Sequence, residues 1–215
     1  MTDLRSAVEA WIAGDPDPAT RSELEGLLAA GETGELADRM AGTLEFGTAG
    51  LRGRVEAGSN RMNRAVVIRT TRGLADHVLA TSGEDRGPVV VGRDGRLSSS
   101  RFLADVVGVL VAAGLEVRYV DEPTATPVLA FLARHLGAVA AVVVTASHNP
   151  PADNGYKVYA STGVQIVPPE DRLIAEAIER VGPAVSVPRV EQPFDDPRAT
   201  EIPKADRDRY FDAVA

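Results

Sequence analysis

From residue 88 onward, short runs dominated by apolar residues alternate with longer stretches whose apolar positions recur every three or four residues. The short runs, 88–92, 115–120 and 138–144, show little polar alternation, which predicts strands covered on both faces. The longer stretches, 98–113 and 126–136, carry the helical repeat. Strand, helix, strand, helix, strand is the order of a doubly wound α/β sheet, so the pattern predicts a βαβαβ unit arranged as a three-layer sandwich. Ligands of such sheets bind beyond the carboxyl ends of the strands. That places interest on three loops, 92–98, 121–126 and 145–154.

Upstream, Asn63 predicts the cap of a long helix running to about residue 81, with Val66, Val67, Leu74, Val78 and Leu79 on its apolar face. Two or three short helices precede it, one over 3–13 and another beginning at Asp17-Pro18, where a capping aspartate stands before a first-turn proline. A glycine-rich irregular stretch, 47–60, lies between them and the long helix. Downstream, a hairpin is predicted over 155–160 and 164–167, then a helix over 169–180. Prolines at 183, 188, 193, 197 and 203 give 182–203 the character of a linker.

Composition narrows the chemistry. With 215 residues, 44% hydrophobic and 25% charged, the chain has enough apolar material for a core and is no disordered tract. It has no cysteine, which excludes disulfides, thiolate metal sites and a thiol nucleophile, and predicts a cytoplasmic location. The longest apolar stretch, 106–115, is well short of the roughly 18 residues needed to cross a bilayer, so no membrane partner is expected. The net charge of −8 is unevenly spread: residues 47–101 hold 10 bases and 5 acids, whereas 1–46 hold 3 bases and 10 acids. The basic middle suits an anionic ligand. Nucleic acid is not that ligand, because aromatics are 5% of the chain and the basic segment has no interleaved stacking residues. Only Lys157 and Lys204 are lysines among 23 basic residues. A lysine amongst arginines marks a position where an ammonium that loses its proton is useful.

The segment 145–150, Thr-Ala-Ser-His-Asn-Pro, follows the predicted strand 138–144 directly and exposes Ser147 at the ligand-binding edge. Read alone, these residue types serve equally well as a turn. A serine-hydrolase triad is disfavoured by the lack of a GxSxG elbow and by His148, which as the next residue is badly placed to act as base for Ser147.

TASHNPP followed by DNGYKVY, FGTAGLRG at 46–53 and VGRDGRLSS at 91–99 together resemble the α-D-phosphohexomutase family of phosphoglucomutases and phosphomannomutases. The FGTAGLRG form and the NRMN that follows resemble most the branch that includes phosphopentomutases. The resemblance runs from about residue 10 to 192 and implies that family's first domain. It divides the chain into a helical extension (1–45), a phosphoserine-bearing domain (46–190), and a linker with the start of a truncated second domain (191–215).

The resemblance implies phosphoryl transfer between the 1 and 6 positions of a hexose phosphate through a hexose 1,6-bisphosphate, with 1-to-5 transfer on a pentose phosphate, or a noncatalytic phosphate-binding fragment, as alternatives. Ser147 would carry the phosphoryl group, and through that phosphate would supply one ligand to Mg²⁺. Lys157 would serve acid–base chemistry or charge stabilisation. Arg52 would face the phosphoserine with a bidentate fork. His148 would contact phosphate or substrate, or hydrogen-bond within its loop, and Asn149 would share in phosphate binding. Gly47, Gly50 and Gly53 would let the loop backbone approach closely. Arg93, Asp94 and Arg96 would support the Ser147 loop. Complete members have four domains, and their metal, sugar-reading and distal phosphate loops are absent from 155–215, so the remaining mutase domains are expected as partners and the 215-residue chain alone is expected to be inactive.

Overall fold

The computed structural model describes residues 2–44, 50–84 and 86–215. Three short helices open the chain: α1 (Thr2–Gly14), α2 (Pro18–Ala30) and α3 (Thr33–Arg39). The Asp17 carboxylate accepts from the Ala19 amide at 3.0 Å and Pro18 occupies the first turn, so α2 starts as its sequence predicts. These helices pack around Val8, Leu24, Leu36 and Ala57.

Among the described residues six strands form one sheet: β1 (Leu51–Arg54), β2 (Val89–Arg93), β3 (Val117–Pro123), β4 (Ala140–Val144), β5 (Asp153–Ala160) and β6 (Ala199–Glu201). Their order is β1-β5-β4-β2-β3-β6. β4, β2, β3 and β6 run parallel, while β5 is antiparallel to both β4 and β1. The helices are α4 (Arg64–Thr81), α5 (Ser99–Ala112), α6 (Thr126–His135), α7 (Glu170–Glu179) and α8 (Lys204–Val214). α4, α5 and α7 lie on one side of the sheet, and α6 with α8 on the other, which completes the three-layer α/β sandwich.

The unbroken apolar runs have a direct cause. Val89, Val91, Ala140, Val142 and Val144 point into the core beneath α4 and α5, while Val90, Ala141 and Val143 point into the one beneath α6. Alternate side chains of a strand face opposite layers, so covering both faces demands an apolar residue at every position. Each buried valine adds roughly 1.5–2 kcal/mol relative to exposure. The long helix α4 begins where Asn63 Oδ1 accepts from the Val66 amide at 3.0 Å.

Two expectations are corrected. The proline-rich segment 182–203 is not a free linker: Ala184, Val187 and Ile202 are buried, and β6 joins the sheet beside β3. Proline holds the chain extended without preventing its apolar residues from docking. The predicted hairpin reduces to an isolated Tyr159–Gln165 bridge, with Val164 and Val167 exposed. Among the described residues no helix is long and apolar enough to cross a membrane.

Candidate functional site

The parallel strands end at one edge of the sheet, where the loops after β2, β3 and β4 meet. Ser147 lies on the loop after β4, exposed, with φ of 57°. That left-handed backbone is unusual for a residue with a side chain and has to be held by its surroundings. The Ser147 amide donates to Thr145 Oγ1 at 2.9 Å. The rest of the hold comes from Arg96 on the loop after β2. Its Nη1 donates to the carbonyls of Pro150 (2.6 Å) and Asp153 (2.8 Å), and its Nη2 to those of Ser147 (3.2 Å) and Asn149 (2.8 Å).

Arg96 is itself fixed. Asp94 accepts from its Nε and its backbone amide, both at 3.1 Å, and from the Ser99 hydroxyl at 2.6 Å. The Asp94 amide donates to the Val144 carbonyl at 3.0 Å, which fastens this loop to the end of β4. Arg93 pairs with Asp121 at 2.9 Å and joins the ends of β2 and β3. Asn154, which as a residue type reads simply as a turn former, is fully buried at the start of β5. Its Nδ2 donates to Ser98 Oγ (2.7 Å) and Ser99 Oγ (3.0 Å), and its Oδ1 accepts from the Gly155 amide (2.7 Å). Ser98 therefore serves Asn154 instead of capping α5. The DNG run following a proline pair is the only sequence signal for this role.

β1 and β5 bring in two cations. Arg52 pairs with Gly155 across the strands, and the Thr145 amide donates to the Gly155 carbonyl at 3.0 Å, so Arg52 and the foot of the Ser147 loop flank the same glycine. Arg52 Nη1 donates to Asn149 Oδ1 at 3.1 Å, and Asn149 Nδ2 donates to Asp153 at 2.9 Å. Among the described residues Arg52 Nε is buried and without a partner. Lys157 on β5 is 9% exposed and, among the described residues, makes no hydrogen bond or ion pair. Burial first, and the nearby Arg52 charge second, hold its pKa below the ordinary lysine value. Two cations at one sheet edge, Lys157 with no acceptor and Arg52 with Asn149 alone among the described residues, form a place for an anion.

Close approach of the strands depends on glycine. A Cβ on Gly50, which has φ of 76°, would stand 2.4 Å from the Tyr156 carbonyl oxygen, and one on Gly155 would stand 2.5 Å from that of Thr145. Gly53 needs no such conformation: a Cβ there would meet the tip of Leu44 at 3.2 Å and the Met62 amide nitrogen at an ordinary 3.6 Å. Gly47 lies outside the described residues. His148 is exposed and has no hydrogen bond among them. The described residues contain no cluster of three acidic or histidine side chains able to hold a metal ion. Asp94 and Asp153 are committed to Arg96, Ser99 and Asn149, so the donors here do not compose a divalent-metal site by themselves.

Comparison with known proteins agrees with this geometry. Residues 43–184 match the model of the phosphoglucomutase/phosphomannomutase α/β/α domain I. The chain is 39% identical over 181 residues to a phosphoribomutase of Saccharomyces cerevisiae, covering 83% of this chain and 29% of that protein. It is 38% identical over 184 residues to a glucose 1,6-bisphosphate synthase of Mus musculus, covering 82% and 30% respectively. A crystal structure assigned as a phosphomannomutase from Thermus thermophilus superposes with a TM-score of 0.64 at 30% identity, covering 80% of this chain and 35% of that one. The chain thus spans about 30% of the length of the curated relatives it matches. Taken with the sheet order and the loop carrying Ser147, these matches show that the chain belongs to the phosphoglucomutase/phosphomannomutase family, whose domain I it contains.

Proposed function

We propose that this chain is the phosphoryl-carrying part of a cytoplasmic sugar-phosphate mutase, with Ser147 as the carrier. The observation behind this reading is the exposed Ser147 on a clamped left-handed loop, at the same sheet edge as Lys157 and Arg52, neither fully supplied with acceptors. A seryl phosphate is stable in water, and transfer from it is promoted by positioning and by positive charge around the transferring group.

In the proposed cycle a sugar hydroxyl oxygen attacks phosphorus, the bond from phosphorus to Ser147 Oγ breaks, and a sugar bisphosphate forms. As the new oxygen–phosphorus bond forms, the hydroxyl gives up its proton and the departing Ser147 Oγ takes one up, and Lys157, whose proton is loosened by burial and Arg52, is suited to relay it between the two oxygens. The bisphosphate then turns round and returns its other phosphoryl group to Ser147. Arg52 holds phosphate oxygens, and Asn149 orients Arg52. His148 contributes a polar contact from the exposed loop. Mg²⁺ would bind the Ser147 phosphate and screen its charge when present, but its remaining ligands lie beyond the groups gathered here.

The primary substrate reading is a hexose phosphate with 1-to-6 transfer. A pentose phosphate is the second reading, favoured by one specific observation, the 39% identity to a phosphoribomutase. In this division 1–45 form a helical extension, 46–190 the carrier domain, and 191–215 lead toward further domains after β6 docks on the first. The 215-residue chain alone is expected to show no turnover.

The test is the intact mass of the protein from its native host, with fragmentation. A chain longer than 215 residues carrying about 80 Da, one phosphoryl group, on Ser147 is the expected result. A short unmodified chain would overturn the reading in favour of a noncatalytic phosphate-binding module.

A further inference from the structure

The run Asn60-Arg61-Met62-Asn63 takes no part in the Ser147 chemistry, yet it joins the N-terminal helices to the strand that bears Arg52. That strand, β1, has four residues and stands at the edge of the sheet. Its inner side pairs with β5. Along its outer side the Met62 amide donates to the Arg54 carbonyl at 2.8 Å, and Val55 and Met62 form an isolated bridge. Asn63 Nδ2 holds the turn between them, donating to the carbonyls of Glu56 (3.0 Å) and Gly58 (2.8 Å). So short a strand has few ladder bonds of its own, and whatever fixes 55–62 bears on where Arg52 stands.

That loop is fastened to α2 and α3. The Asn60 amide donates to the Arg39 carbonyl at 2.9 Å, Asn60 Nδ2 to the Asp38 carbonyl at 3.2 Å, and Ser59 Oγ to the Gly42 carbonyl at 2.6 Å. Gly58, with φ of 120°, lies so close that a Cβ would stand 2.6 Å from the Arg39 carbonyl oxygen. Two buried guanidiniums cross the same junction. Arg39 of α3 pairs with Glu23 of α2, with Glu35 at 2.8 Å and with Glu56 at 3.6 Å. Arg61 pairs with Asp38 and, at 3.0 Å, with Glu56. Glu56 also meets Arg54, the last residue of β1, at 3.1 Å. Arg52 and Arg54 are two residues apart on one strand and share a face. A lone exposed ion pair would fix little, but a network of planar forks around a shared, mostly buried carboxylate holds its members in one geometry.

We propose that Arg39, Glu56 and Arg61 latch the N-terminal helices to the outer side of β1 and thereby position Arg52 against Lys157 and Asn149, a role that rests on reading Arg52 as the phosphate holder. Arg39 and Arg61 are positioning residues, since they act through β1. The helical extension is then part of the support of the site.

The Lys157 amine senses the Arg52 charge, so its titration, followed by NMR in the 215-residue chain, reports where Arg52 stands. Arg52→Gln gives the whole shift that losing this charge produces. Arg39→Gln and Arg61→Gln are each expected to raise the Lys157 pKa by part of that shift, and to add nothing to it when combined with Arg52→Gln. General loosening of the fold would instead move Lys157 in both backgrounds. Arg61→Gln leaves Glu56 with Arg39 and Arg54, and leaves Asp38 largely in water, so it strands no buried charge and decides the matter even if Arg39→Gln does not fold. Arg5→Gln, which breaks an exposed pair with Glu9 on α1, is expected to leave Lys157 unchanged. The titration uses no phosphate, so its outcome is separate from whether Ser147 is phosphorylated in the host. An unchanged Lys157 pKa in folded Arg61→Gln, the same rise with Arg52 already removed, or an equal rise in Arg5→Gln would each overturn the proposal.

Discussion

Arg96 Nη2 donates to the carbonyl oxygen of Ser147 at 3.2 Å, although 51 residues separate the two in sequence. Three more carbonyls of the same loop accept from this guanidinium, so one side chain determines the path of 147–153. A guanidinium has five donors in a rigid fork, and an ammonium cannot meet four carbonyls and Asp94 together. Arg96→Lys is expected to lose about 2 kcal/mol in urea unfolding, some carbonyls turning to water. Phosphate on Ser147 in protein from the host is expected to fall much further than stability does.

The φ of 57° at Ser147 allows a test in which stability and function move apart. A left-handed residue with a side chain carries a penalty of roughly 1 kcal/mol, which glycine avoids, at some entropic cost in the unfolded chain. Ser147→Gly should therefore be as stable as the parent, or up to about 1 kcal/mol more stable, and unable to carry phosphate. Ser147→Val, β-branched at the same angle, should lose about 1–2 kcal/mol. Paired urea melts check both signs.

Lys157 carries a pH dependence of defined direction. Folding lowers its pKa from the ordinary 10.5, by burial and then by Arg52, so between the folded and unfolded values the unfolded chain binds more protons. The cost of burying the charged amine is fully present below the folded pKa and is relieved as pH rises from there toward 10.5. Urea stability measured across this alkaline window should rise less in Lys157→Met than in the parent. Arg52→Gln should raise the Lys157 pKa part of the way, read from the side-chain carbon signals by NMR, because burial, the larger cause, remains.

How far these features are legible in the chain differs by residue. β2 and β4 are, because two-sided burial writes an apolar residue at every position, and α4 is, because Asn63 announces its own cap. β6 is not: Ala199, Thr200 and Glu201 are partly or fully exposed at the sheet's edge and leave no apolar pattern. Arg52, Asn149 and Arg96 stand out within motifs, yet their partners lie 97 and about 50 residues away, and spacing does not show which atoms meet. Asn154 reads as a turn in sequence because asparagine favours turns, while its burial against Ser98 and Ser99 is a consequence of the tertiary fold.

Gly50 links backbone shape to the site. With φ of 76° and 2.4 Å between a would-be Cβ and the Tyr156 carbonyl, alanine here needs both strain and a shift of β1 from β5. Gly50→Ala should cost about 3 kcal/mol or more. The contact from Arg52 to Asn149 should be lost with it, and the Lys157 pKa should rise in the same variant as Arg52 moves off, which NMR reads independently of stability.

The buried pair between α4 and α5 tests the scaffold beneath all of this. Arg64 Nε and Nη2 each donate to Asp105 at 2.8 Å, and both side chains are nearly excluded from water. Removing one partner strands the other charge, so Asp105→Ala should cost about 3–5 kcal/mol. Replacing both, as Arg64→Met with Asp105→Leu, removes the pair together with its desolvation penalty and should restore most of that loss. Arg64 opens α4 directly after the Asn63 cap, so the single variant should loosen amide protection first at that helix's N-terminus. Hydrogen exchange on the two variants separates this local opening from global unfolding. Equal losses in the single and double variants would show that side-chain packing, and not the stranded charge, sets the cost.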